Sequence, residues 1–196
     1  LIPFRTYAIS LFWDRHAGLI YFDANADREP FGDALARYRE VSMQAPHDLA
    51  AAAGECIERI SALLSLPDGE VVATRGGTAA DGWALRAAVP AESHIVISGL
   101  EHAAVSATAD LLATNQRCTV TRVSAGRDGK VEPKKVLGAV TEDTSLVSVS
   151  AASNETGVIQ PLETIAAGLT DHDVLFHSDV VQAIGRVPVT FELLDL

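Results

Sequence analysis

The feature that most constrains this chain is an alternation of short apolar runs with helical stretches. Val71–Thr74 leads through Gly76-Gly77 into Thr78–Ala88, and His94–Ser98 leads into Ala103–Ala113. Thr119–Val123 leads through an Asp128-Gly129 turn into a short helix from Pro133. Leu146–Ser150 leads through a polar loop into Leu162–Leu169, and the runs Val174–His177 and Val187–Val189 follow. Strands that alternate with helices predict crossover units, hence an α/β fold with a mostly parallel sheet and helices on both faces. Upstream, Ile20–Asp23 reads as a short strand and Pro30–Val41 as a helix. Leu49, Ala53, Ile57, Ile60 and Leu64 recur at helical spacing behind Asp48, a suitable N-cap, before Pro67-Asp68-Gly69 breaks the chain.

Composition excludes several classes. Of the 196 residues 48% are hydrophobic, too many for a disordered chain. Fifteen basic against 26 acidic residues give a net charge of −11, whereas a nucleic-acid binder needs a basic face. No apolar run approaches the ~20 residues of a membrane span. The opening stretch carries Arg5, Asp14, Arg15 and His16 and makes a poor signal peptide. Two cysteines cannot form a disulfide framework or a four-cysteine zinc site, so the expected compartment is the cytoplasm. Cys56 and Cys118 both read as buried thiols.

In parallel sheets ligands bind outside the carboxyl ends of the strands. After Val71–Thr74 comes Arg75-Gly76-Gly77-Thr78. That is either a tight turn with a capping Thr or an anion site at a helix N-terminus. It is neither Gly-x-Gly-x-x-Gly nor a phosphate-loop signature, which weighs against a nucleotide-binding enzyme. After His94–Ser98 comes Glu101-His102. His102 is either an ordinary surface or core residue, or a group that lies over a ligand ring or moves protons. After Leu146–Ser150 comes Ser153-Asn154-Glu155-Thr156-Gly157, a turn by composition. After Val174–Phe176 comes His177-Ser178-Asp179. A carboxylate entering that apolar neighbourhood needs a partner: a structural Arg or His, a metal, or a cationic ligand nitrogen. His-x-Asp offers only two metal ligands and no second cluster with ligand spacing completes them, so no metal is expected.

These residues carry a resemblance. Ile20-Tyr21-Phe22-Asp23, Thr74-Arg75-Gly76-Gly77-Thr78, Glu101-His102-Ala103-Ala104-Val105, Asn154-Glu155-Thr156-Gly157-Val158-Ile159-Gln160-Pro161 and His177-Ser178-Asp179-Val180-Val181-Gln182-Ala183 occur in order. They resemble the pyridoxal 5'-phosphate (PLP) cysteine desulfurases of the class V aminotransferase group, fold type I. The resemblance runs from about Leu19 to the end of the chain. It implies a large-domain-like fold that is incomplete at the C-terminus: residues 1–19 as an extension, 20–196 as the cofactor-binding large domain, and the small domain absent. It implies that Asp179 pairs with the pyridine nitrogen, which favours the protonated ring. Gln182 and Asn154 would bond the phenolic oxygen, His102 would stack on the ring, and Gly77 and Thr78 would hold the phosphate.

The departures matter as much. The family's Schiff-base lysine lies in a Ser-x-His-Lys run, and none of Lys130, Lys134 and Lys135 matches it. All three read as surface residues. Neither Cys56 nor Cys118 stands in for the family's nucleophilic cysteine. Asp27-Arg28 replaces Thr-Thr, Ala45-Pro46-His47-Asp48 replaces Asn-Pro-Ser-Ser, Ser153 replaces an Asn, and Ala79 and Asp81 replace the usual Glu and Asn. Asp27 and Asp81 are unfavourable beside a phosphate unless they are screened or turned away. No catalytic residue is therefore expected in this chain, only a cofactor cradle, and the chain alone is expected to be inactive. The implied substrate is cysteine, with a sulfur-acceptor protein and a homodimer or a C-terminal part as partners. The alternative is a non-catalytic PLP-fold domain, or an assembly partner for a separately encoded C-terminal half.

Overall fold

The structure is a computed structural model that describes residues 11–14, 19–22, 58, 74, 76–184 and 186–187. Strands β1 (Leu11–Asp14) and β2 (Leu19–Phe22) pair antiparallel, with Leu11 opposite Phe22. Helix α1 (Gly77–Ala88) precedes β3 (His94–Ser98), α2 (Ala103–Gln116) and β4 (Thr119–Val123). Helix α3 (Pro133–Ala139), β5 (Thr144–Ser148), α4 (Leu162–Leu169) and β6 (Leu175–His177) follow.

The sheet order is β4-β3-β5-β6 and every pairing is parallel. Sequence neighbours are thus joined by crossovers, as the alternation predicts. Side chains alternate between the faces of a strand, and β3 shows what each face meets. Ile95 and Ile97 pack with Leu146 against Leu85 of α1 and Val105 and Leu112 of α2. Val96 faces the other way and packs with Val147 against Val136 of α3 and Ile165 and Leu169 of α4. Helices therefore cover both faces, and β3 is buried along its whole length. Each such side chain stabilises the fold by roughly 1.5–3 kcal/mol through burial. The outer helices touch closely: a Cβ on Gly168 of α4 would collide with Cδ1 of Leu137 in α3.

Most expected elements stand within a residue or two. The strand expected at Leu146–Ser150 runs over Thr144–Ser148. Its ladder with β3 slips between His94 and Ile95, which lets Thr144 pair with His94. Helix α2 continues three residues past Ala113 and stops where Arg117 turns left-handed at φ 57°. Leu11–Asp14, read as part of an extension, is a strand. Its Leu-Phe-Trp run has the aromatic character that suits a pleated surface. The Asp128-Gly129 turn forms, with Gly129 at φ 75° beneath an Ala125–Val131 bridge. Cys118 is a buried thiol, lying just before β4. The elements expected at Pro30–Val41, Leu49–Leu64 (apart from Glu58, which is helical) and Val71–Ala73 and the residues Asp27, Asp48 and Cys56 lie outside the described residues, as does all of the Val187–Val189 run after Val187.

Candidate functional site

Because β3, β5 and β6 run parallel as neighbours, the segments that leave them emerge at one edge of the sheet. Those segments carry His102, Asn154, and Asp179 with Gln182. Asp179 follows β6 and is 8% exposed. Its Oδ1 accepts the Val181 N–H at 3.0 Å. Its backbone oxygen accepts the Ala151 N–H at 2.9 Å, so the ends of β5 and β6 are stitched together. Burial pushes the Asp179 carboxyl above its ordinary range, and the charge of Asp81 adds to the rise. The Val181 N–H, His177 and His102 pull the other way.

His102 caps α2. Its Nδ1 accepts the Ala104 N–H at 3.1 Å, which fixes the ring at the helix start and leaves the residue exposed. Glu101, beside it, stands out in the sequence only as part of a motif. Its Oε1 accepts from Ser98 Oγ at 2.8 Å and from the Ser150 N–H at 2.7 Å. One carboxyl oxygen thereby ties the end of β3 to the segment after β5. Burial raises Glu101 to about 7. Only its polar surroundings in three dimensions reveal this; nothing in the spacing does.

Helix α1 begins at Gly77 behind Gly76, whose φ of 135° suits glycine alone. Its N-cap, Gly76, has no side chain to offer, and its first turn holds no acidic residue. Thr78 is exposed at that end. A helix N-terminus of this kind favours an anion through its first N–H groups and its dipole. Four residues beyond Gly77, Asp81 lies on the same side of the helix. It is buried and faces His177: Asp81 Oδ1 is 3.6 Å from His177 Nε2. The acidic side chain expected to trouble a phosphate is thus turned away toward the end of β6.

Asn154 stands exposed on a small turn. Ser153 Oγ accepts the Glu155 and Thr156 N–H groups, both at 3.3 Å, and Ala152 bridges Ile159. Buried Gln160 anchors this turn. It accepts the Val131 N–H through Oε1 and donates through Nε2 to Gly129 O, both at 2.9 Å. Gln182 is half-buried, and its Oε1 accepts from Arg186 Nη1 at 2.8 Å. The lysines Lys130, Lys134 and Lys135 are all exposed, in the connection between β4 and β5.

Donor atoms of Asp81, His102 and Asp179 lie within 4.8 Å of one another. Chain spacing gave no sign of this trio, because α1, the start of α2 and the end of β6 each contribute one member. Two carboxylates beside an imidazole form a socket for positive charge, whether a metal ion or a protonated ring nitrogen.

Residues 33–196 match the family model described as aminotransferase class-V. The cysteine desulfurase of Nostoc sp. is 36% identical over 138 residues, which are 69% of this chain and 34% of that protein. The cysteine desulfurase IscS of Methanosarcina thermophila is 33% identical over 172 residues, 86% of this chain and 41% of that protein. The solved structure of a NifS-like protein superposes with a TM-score of 0.76 at 26% identity, over 98% of this chain and 53% of that one. The chain thus spans about a third to two-fifths of these curated relatives and about half of the solved chain. Class V aminotransferases and cysteine desulfurases depend on PLP. With the parallel sheet, the strand-end cluster and a model match over most of its length, the chain belongs to the class-V aminotransferase family.

Proposed function

We propose that this chain is the cofactor-cradling part of a PLP-dependent cysteine desulfurase, an enzyme that converts cysteine to alanine and holds the sulfur as a persulfide. The observation that carries the reading is Asp179: a buried carboxylate at the carboxyl end of β6, beside His102 and with an acidic neighbour. A buried carboxylate without a cation is costly, and a protonated pyridine nitrogen is such a cation. When bound, PLP supplies an electron sink for bonds broken at the substrate's α-carbon.

The chain's own residues bind and orient. Asp179 holds the ring nitrogen's proton, and His102, fixed by its cap bond, covers a ring face. Asn154 and Gln182 hydrogen-bond the phenolic oxygen, Gln182 after releasing Arg186. Gly77 and Thr78 take the phosphate at the start of α1. Residues 20–196 form the large-domain portion. The lysine and nucleophilic cysteine of the reaction are supplied from outside these residues. A sulfur-acceptor protein, a homodimeric state and a cytoplasmic setting go with this reading. Among the described residues no helix is long and apolar enough to cross a membrane.

A second reading is a non-catalytic PLP-fold domain or an assembly partner for a separately encoded C-terminal half. It is favoured by the exposure of all three lysines, which sit together on the β4–β5 connection. Titrating PLP into the full-length protein and its Asp179→Ala variant tests the cradle. The variant should bind at least ~30-fold more weakly, as loss of one partner from a buried charge pair implies. Equal affinities would refute the assignment. Cysteine turnover by the full-length protein separates the two readings.

A further inference from the structure

Asp81 is 1% exposed and His177 is 3% exposed. Their facing atoms, Asp81 Oδ1 and His177 Nε2, are 3.6 Å apart, and neither has a hydrogen-bond partner. At that distance they are just outside bonding range, and an unsatisfied buried polar group is costly. Two such groups facing each other fit one hydrogen bond, with the His177 Nε2–H donating to Asp81 Oδ1. The rest of the ring is already fixed: His177 Nδ1 is 2.9 Å from Ser148 Oγ inside β5. The groups around the pair are Asp179 and Ser178 from the end of β6, His102 from the start of α2, and Glu101 from the β3–α2 connection.

Resting on the PLP reading above, we propose that Asp81 is a positioning residue that accepts the Nε2–H of His177, whose Nδ1 is held by Ser148 Oγ. The Ser148–His177–Asp81 chain then closes into a hydrogen-bonded buttress beneath Asp179. Asp81 touches no cofactor atom. It acts by fixing the His177 ring and with it the end of β6, so that Asp179 is held facing the ring nitrogen. The residues are contributed by three elements: β5, β6 and α1.

The test uses the full-length protein, first without PLP. Proton NMR should show a slowly exchanging, far-downfield ring N–H, assigned to His177 by its loss in His177→Gln. Asp81→Ala should abolish that signal and weaken PLP binding about tenfold or more, the effect of stranding one buried hydrogen-bonding group. Asp81→Asn keeps an oxygen to accept from Nε2–H and should restore most of the affinity. An unchanged downfield signal in Asp81→Ala, or PLP affinity equal to the parent's in Asp81→Ala and His177→Gln, overturns the proposal. If Asp81→Ala does not fold, Asp81→Asn and His177→Gln decide: matching affinities that differ from each other by less than threefold and equal the parent's refute it. Failure of the parent itself to bind PLP would sink the cradle reading alone, because the NMR signal in the PLP-free protein still tests the pair.

Discussion

Two buried histidines mark opposite ends of the same sheet. His94 opens β3 at the amino end, and His177 closes β6 at the carboxyl end. His94 is fully paired: Nδ1 lies 2.8 Å from Thr144 Oγ1 and Nε2 lies 2.8 Å from Thr121 Oγ1. Burial lowers its pKa, with Asp143 opposing. His177 pairs only Nδ1, and its Nε2 looks at a carboxylate without bonding it. At the amino end His94 satisfies both ring nitrogens and so serves the fold, and Gln116 Oε1 is the one buried polar side-chain atom near it, among the described residues, that lacks a partner. The carboxyl end gathers Asp81, Glu101, Asp179, His102 and His177 and leaves several polar atoms open, among them Glu101 Oε2 and Ser178 Oγ. Unsatisfied buried groups in a native structure call for an explanation, and a ligand for that end supplies one.

The contrast can be broken by substitution. The largest separation is expected between His177→Gln and His94→Gln. The first should weaken PLP binding about tenfold, through loss of a buried partner. The second should cost about 2 kcal/mol of stability by stranding threonine hydroxyls, with PLP affinity unmoved. Urea unfolding alongside PLP titration checks both, and a similar loss of affinity in the two variants would erase the distinction between the ends.

Glu101 gives a pH test of comparable size. Its folded-state pKa is raised from 4.5 to about 7, so the folded state holds a proton that the unfolded state releases. Stability from this group is present at low pH and is lost as pH rises from about 4.5 through about 7, on the order of 3 kcal/mol in total. Glu101→Gln should flatten that slope, measured by urea unfolding at several pH values. Asp179, also raised, adds to the same direction, so Asp179→Asn should flatten it further. A smaller effect is expected away from both ends. Gly168→Ala should destabilise by about 1–3 kcal/mol through overpacking against Leu137. Smallest of all, replacing Lys130, Lys134 and Lys135 together by Arg should leave PLP affinity within twofold. A clear loss in that variant would return one of these lysines to the site.

Much of this was legible in the sequence. The 2-versus-3.6 alternation gave His94–Ser98, Thr119–Val123 and Leu162–Leu169 with their observed bounds, because each sets apolar side chains at its own period against the cores on the two faces of the sheet. The strand-end rule and the motifs placed His102, Asn154 and Asp179 at one sheet edge. What stayed hidden depends on contacts between distant segments. Asp81 read as a charge awkward for a phosphate, because its neighbours in the chain include Thr78, while its neighbours in space are His177 and Asp179. The role of Glu101 rests on Ser150, nearly fifty positions away, and that of Gln160 rests on Gly129 and Val131. The slip in β5 came from a register irregularity that no hydrophobic pattern encodes.

The central claim is that the carboxyl ends of β3, β5 and β6 hold a protonated ring nitrogen at Asp179. A crystal structure of the full-length protein grown with PLP tests it most directly. The claim predicts the ring nitrogen at about 3 Å from an Asp179 carboxylate oxygen, His102 over the ring face and the phosphate at Gly77 and Thr78. A PLP seated elsewhere, or turned so that its ring nitrogen faces away from Asp179, would contradict it.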